Sequence, residues 1–222
     1  MATIELSTEP LVAGDRILRA EFLRRWEAQP EIRKAELIGG VVYMPSPLSA
    51  DHSEADSLVI CWLKYYAAHT PGCEAGNNGT WFMLQDAPQP DAHLRRVREC
   101  GGTSWVEKGF FHGAPELIAE TCRSSTSYDL HQKKDLYAAA GVKEYLAVLL
   151  HERELRWQRL VGDEYQSLQQ SPDGVVRSLI FPGLWLHVRA LLSGNMLQVL
   201  DTLKQGLESS EHAEFVQQLA RK

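Results

Sequence analysis

Glu116-Leu117-Ile118-Ala119-Glu120-Thr121-Cys122 is the stretch on which the fold turns. Its β-branched and apolar residues predict a strand. Behind it, Asp129 to Ala140 has helical character, with Asp129 placed to cap the start and Gly141 to end it. Glu144 to Leu150 then predicts a second strand. A strand, a crossover helix and a strand in one sheet run parallel, because such crossovers are right-handed.

The pattern extends outward in both directions. Upstream, residues 1–15 form an irregular segment, and residues 16–28 place Ile17, Leu18, Phe22, Leu23 and Trp26 at helical spacing. Gly39-Gly40 between two short apolar runs marks a hairpin over residues 35–44. Residues 51–69 predict a second helix, capped by Ser49 or Asp51, with Leu58, Val59, Trp62, Leu63 and Tyr66 as its buried stripe. Residues 80–84 and 91–97 read as strands. Residues 99–113, with four glycines, read as an exposed loop. Downstream, residues 155–159 and 164–168 form a meander through Gly162-Asp163, and Pro182-Gly183 punctuates a last β segment; the aromatic set Trp157, Tyr165, Phe181 and Trp185 builds a core or subunit interface, with a base-stacking platform as the alternative. Residues 189–206 and 211–220 are helical. The reading is α/β of the mixed α+β kind, a mixed β-sheet flanked by helices, with a main domain over residues 16–188 and a C-terminal helical extension over residues 189–222.

Composition narrows the class. The 222 residues are 44% hydrophobic and 23% charged, which excludes a disordered chain or a fibre. No run of about 18 apolar residues exists, so no membrane partner is expected. The N-terminal residues lack the basic and apolar regions of a signal peptide, and the four cysteines contain no C-x-x-C pair; both point to reduced thiols in a cytoplasmic protein. The net charge of -6 restricts any nucleic-acid contact to a local patch.

Three residues carry chemistry. Asp91, after Pro90, sits at a strand start, where it can ligate a metal or simply shape a turn. Glu120 shares a strand face with Ile118 and Cys122, where a carboxylate is costly unless paired or bound to a cation. Lys133 shares a helix face with Leu130 and Tyr137 and should point inward, leaving Lys134 solvated. Two carboxylates can hold a divalent ion, and an ammonium can stabilise developing charge. The same spacing equally allows a plain ion pair of Glu120 with Lys133. Arg96 and Arg98 would share a strand face, as a phosphate-binding patch or a solvated edge.

The same residues carry a family resemblance. Glu36-Leu37-Ile38-Gly39-Gly40, His52, Gln89-Pro90-Asp91, the Gly113 to Glu120 block, Ser124 to Leu130, Lys133, Tyr137, Gly141-Val142-Lys143-Glu144-Tyr145 and Phe181 to Leu186 occur in order. With these, the chain resembles the Uma-two family of restriction-endonuclease-like proteins, a branch of the PD-(D/E)XK nuclease superfamily, over roughly residues 16–220. The resemblance implies a restriction-endonuclease-like core, DNA as substrate, and Mg2+ (or Mn2+) held by Asp91 and Glu120. It implies assisting roles for Glu36 and His52. The superfamily lysine would stand two residues after the glutamate; Cys122 is there instead, and Lys133 takes that role. Arg123 brings a further cation near the site, and Gly39-Gly40-Val41 replaces the Asp-Gly-Glu common in the family. A homodimer suits an enzyme that cuts two strands. The alternative is a nuclease-fold DNA-binding or scaffold protein without turnover.

Overall fold

The computed structural model describes residues 9–44, 47–123 and 131–221. The chain opens with α1 (Arg19–Glu27), the hairpin strands β1 (Glu36–Ile38) and β2 (Val41–Tyr43), and α2 (Ala50–Ala68). Then come β3 (Cys73–Gly76), β4 (Trp81–Phe82), β5 (Ala92–Arg96), β6 (Trp105–Glu107), β7 (Phe110–His112) and β8 (Leu117–Cys122). Helix α3 (Gln132–Ala140) leads to β9 (Glu144–Leu149), β10 (Glu154–Val161) and β11 (Glu164–Ser167). The described chain closes with β12 (Val175–Arg177), β13 (Trp185–His187), α4 (Val188–Leu192), α5 (Met196–Leu207) and α6 (Ser210–Ala220).

Six strands form the central sheet in the order β11-β10-β9-β8-β5-β3. Strands β8 and β9 run parallel with Glu120 opposite Ala147, as the crossover through α3 requires. The other four pairings are antiparallel. The fold is thus mixed α/β, and no barrel forms among the described residues.

Alternation along β8 and β9 sends side chains to two different cores. Leu117, Ala119, Leu146 and Val148 join Trp62, Leu63 and Tyr66 of α2 and the C-terminal helices. Ile118, Cys122, Tyr145 and Ala147 join Leu136 and Tyr137 of α3 with Trp81 and Ile38. Burying each of these large apolar side chains stabilises the fold by about 1.5–3 kcal/mol. Two of the polar tips are satisfied across the core: Trp62 Nε1 donates to the Trp185 carbonyl at 3.0 Å, and Tyr66 Oη to the Pro182 carbonyl at 2.9 Å. Val199, Leu203, Phe215 and Leu219 of α5 and α6 lie in the same cluster as Trp62. Gly206 lets α5 approach the β13 hairpin closely, since a methyl there would run into the Gly183 carbonyl.

Several expectations need correction. Residues 99–113 are not a loop: β6 and β7 pair antiparallel and, with β4, make a three-stranded sheet of their own. Cross-strand aromatic pairing organises it, with Trp105 stacked on His112 at 5.3 Å, and glycines at the turns had hidden the short strands. The strand at residues 80–84 shrinks to β4, because Leu84 adopts a positive φ of 51° in a tight turn. The helix over residues 189–206 is two helices, broken at Gly194 with φ 73°. Helix α1 starts at Arg19, and Asp129, the expected cap of α3, lies outside the described residues. All four cysteines are free thiols. Among the described residues no helix is long and apolar enough to cross a membrane.

Glu144 is a fully buried carboxylate away from the cleft. At the first position of β9, it accepts from the backbone N–H groups of Leu179 and Ile180, the Ser178 hydroxyl and Trp157 Nε1, at 2.8–3.2 Å. Burial nonetheless pushes its pKa up to about 7, against those four donors. The folded state therefore binds the Glu144 proton more tightly than the unfolded chain between the usual 4.5 and about 7. Stability from this group is highest below that window and falls as the pH rises through it, by on the order of 3 kcal/mol. In Glu144→Gln, which cannot ionise, the stability deficit relative to wild type should shrink between pH 5 and pH 8 in denaturant titrations. A deficit that grows with pH contradicts the assignment.

Candidate active site

The sheet register assembles the site. Strands β5 and β8 pair with Ala92 opposite Ala119 and His93 opposite Ile118. Continuing one residue places Asp91 opposite Glu120, on the same face of the sheet. The Asp91 carboxylate accepts the Thr121 N–H at 2.9 Å, which fixes it against β8. Asp91 lies one residue before β5 begins, as Pro90 dictates.

Glu36 arrives from the hairpin. Gly39 and Gly40 take φ of 58° and 73°, the positive values that a tight two-residue turn needs. That turn holds β1 against β2, and Glu36 accepts the Gln89 N–H at 2.6 Å. Helix α3 delivers Lys133, whose side chain is only 4% exposed. Its Nζ lies 2.9 Å from Glu36 Oε1 and 3.2 Å from Glu120 Oε1. Tyr137, one turn on, donates its hydroxyl to the same Glu120 oxygen at 2.6 Å. A buried ammonium is thus shared between two buried carboxylates, so neither carboxylate is left without an ion-pair partner. Both the inward lysine and the ion pair anticipated from spacing are present. Lys134 is half-buried rather than fully solvated, its Nζ lying 5.8 Å from the Tyr165 ring centroid, where the ring face attracts a cation.

A second group converges on Asp91 from α2. Ser49 caps this helix by accepting the His52 N–H, and one turn on comes Asp56. His52 Nε2 lies 3.4 Å from Asp56 Oδ2 and 3.7 Å from Asp91 Oδ2. One donor atom from each of His52, Asp56 and Asp91 lies within 4.8 Å of the others. Lys34 Nζ, bonded to Asn78 Oδ1 at 2.9 Å, stands 4.0 Å from Asp91 Oδ1.

The electrostatics divide the two acids. Burial pushes the Asp91 carboxyl up, but His52, Lys133, the Thr121 N–H and Lys34 together hold it below the ordinary carboxylate value. Burial and the neighbouring Asp91 charge raise Asp56, with Thr121, His52 and Lys34 opposing. Asp56 Oδ1 is buried and makes no hydrogen bond among the described residues. Two adjacent carboxylates, an imidazole and a buried oxygen without a hydrogen bond form a donor set that fits a divalent cation.

The three arginines singled out in the sequence have other partners than the acidic cluster. Arg96 is half-buried, its backbone N–H and Nε donating to Glu116 at 2.8 and 3.3 Å. Arg98 does not share its strand face, because the chain leaves β5 into a 3-10 turn; its guanidinium lies 5.3 Å over the Trp105 ring. Arg123 is exposed at the end of β8, where its carbonyl accepts the His151 N–H. Cys122 is buried among apolar residues. Sequence reasoning missed Asp56 and Lys34. Asp56 is four residues after His52, a spacing that puts both on one helix face and would have exposed it. Lys34 has no such signal, since only the fold brings it to Asp91.

Residues 19–189 match the family described as "Uma2: Putative restriction endonuclease", and the chain belongs to that family. Among solved structures it is similar to the crystal structure of "a putative nuclease belonging to DUF820 from Anabaena variabilis ATCC 29413". The TM-score is 0.63 at 19% identity, over 80% of this chain and 98% of that one, a likeness of fold. No curated protein matches the chain.

Removing the shared ammonium leaves Glu36 and Glu120 buried side by side. Lys133→Met should therefore cost about 3–5 kcal/mol of stability in urea titrations at pH 7. A loss below about 1 kcal/mol, the value typical of a solvent-exposed pair, contradicts the buried bridge.

Proposed function

We propose that this member of the Uma2 family is a metal-dependent DNA endonuclease that hydrolyses phosphodiester bonds, with Mg2+ or Mn2+ as cofactor. The single observation that carries this reading is the convergence of Asp91, Glu120, Lys133, Glu36 and His52, drawn from five separate elements or their flanks, on one edge of the β5–β8 pair. Asp91 is the carboxylate that would hold the ion, with Glu120 opposite it and the α2 donors within reach. A bound divalent cation supplies Lewis-acid polarisation of a phosphate oxygen and lowers the pKa of water.

The chain's own residues supply the rest. Lys133 presents an ammonium beside the carboxylates, where it can stabilise charge developing on the phosphate. Tyr137 and Glu36 hold that ammonium and Glu120 in fixed positions, so little reorganisation accompanies reaction. Arg123, Arg96 and Arg98 are the candidates for contacts to the DNA backbone, which a chain of net charge -6 confines to a local patch. Two copies related by a twofold axis would offer one such centre to each strand.

A second reading, a nuclease fold that binds DNA without turnover, is favoured by one feature. Cys122, at the position where the superfamily carries its lysine, is buried among apolar residues.

Nicking of supercoiled plasmid with Mg2+ or Mn2+ separates the readings. Asp91→Asn should lose about 100- to 10,000-fold in nicking rate. Wild-type protein that retains DNA in gel shifts but nicks nothing with either ion contradicts the enzyme and supports the binding protein.

A further inference from the structure

We infer that the cation seat is a mixed nitrogen–oxygen site made by His52, Asp56 and Asp91, and that it selects first-row transition ions such as Mn2+ and Co2+ over Mg2+. This rests on the metal-dependent reading above and specifies its ion and its ligands. It adds Asp56, an acid with no counterpart among the residues that carry the family resemblance.

The geometry separates two groups of charges around the cleft. Glu120 is 1% exposed and already engaged by Lys133 Nζ and the Tyr137 hydroxyl at one oxygen, while Lys133 also holds Glu36. In that half of the site the facing carboxylate oxygens are already taken by one of the protein's own cations. On the other side of Asp91, His52, Asp56 and Asp91 offer three donor atoms within 4.8 Å of one another, and side chains 15–21% exposed leave a path from solvent. Asp56 Oδ1, buried and without a hydrogen bond among the described residues, belongs to this half. Lys34 is the nearby cation there, but its Nζ is 4.0 Å from Asp91 and bonded to Asn78. Two carboxylates therefore lie together beside one imidazole, with donor atoms close enough to share an ion.

The imidazole decides the ion. Mg2+ requires near-ideal octahedral oxygen coordination and sheds water reluctantly, whereas transition ions accept imidazole nitrogen readily. The i, i+4 spacing on α2 makes His52 and Asp56 a preformed pair, so binding orders little further chain. An all-oxygen site at Asp91 and Glu120 would show a weaker preference.

Calorimetric titration of the full chain with Mg2+, Mn2+ and Co2+ tests the inference, with the visible absorption of bound Co2+ as an independent report on nitrogen ligation. Wild type should bind Co2+ and Mn2+ at least about tenfold more tightly than Mg2+. Asp56→Asn, close in size and shape, should weaken all three ions by about tenfold or more. His52→Asn should reduce the preference by about tenfold and alter the Co2+ spectrum while leaving weak Mg2+ binding. Thermal melts in chelator establish that each variant is folded. Equal affinity for Mg2+ and Co2+, no uptake of any ion, or a Co2+ spectrum indifferent to His52→Asn overturns the inference. Plasmid nicking in the same samples keeps the two readings apart. Nicking in Mg2+ that is insensitive to His52→Asn leaves the endonuclease standing and removes this seat. Ion binding as expected without nicking in any ion leaves the seat standing and removes the endonuclease.

Discussion

A buried ammonium sets the terms for everything around it. Lys133 lies within 3.2 Å of two carboxylates, Glu36 and Glu120, and none of the three is more than about a tenth exposed at the side chain. An isolated charge in that position would be excluded by its desolvation cost, and two carboxylates without a cation would repel. Hairpin, central strand and crossover helix therefore have to close on one another together. The interaction is local chemistry, yet it fixes how three distant pieces of sequence meet.

The backbone register does the complementary work. Because β5 and β8 run antiparallel with Ala92 against Ala119, Asp91 falls opposite Glu120; a slip by one residue would turn one carboxylate to the opposite core. The parallel pairing of β8 with β9 places α3 over that same face. The other face is filled by Trp62, Leu63 and the C-terminal helices, and the first turns of the same α2 carry His52 and Asp56 to Asp91.

Much of this was legible in the sequence, for identifiable reasons. The crossover unit and the inward face of Lys133 follow from long periodic segments, and they appear as expected in β8, α3 and β9. The short strands β6 and β7 were hidden because three-residue strands flanked by glycines carry almost no periodic signal, and their aromatic pairing exists only across the sheet. The break at Gly194 was hidden because apolar spacing continued through it. In the site, Asp91, Glu120, Lys133 and Glu36 stood out through their chemical setting or their family pattern. Asp56 was within reach of helical spacing from His52, whereas Lys34 becomes a neighbour of Asp91 only when the chain folds.

Family membership and chemistry answer different questions here. The Uma2 match defines ancestry over residues 19–189, and the solved relative defines the fold. What the site can do depends on whether the charges around Asp91 hold an ion. Anomalous diffraction from crystals soaked in Mn2+ tests this most directly. The account predicts one strong peak bounded by His52, Asp56 and Asp91, each ligand atom within about 2.0–2.6 Å of it. A wild-type crystal with no peak there, or with its only peak remote from Asp91, would contradict it.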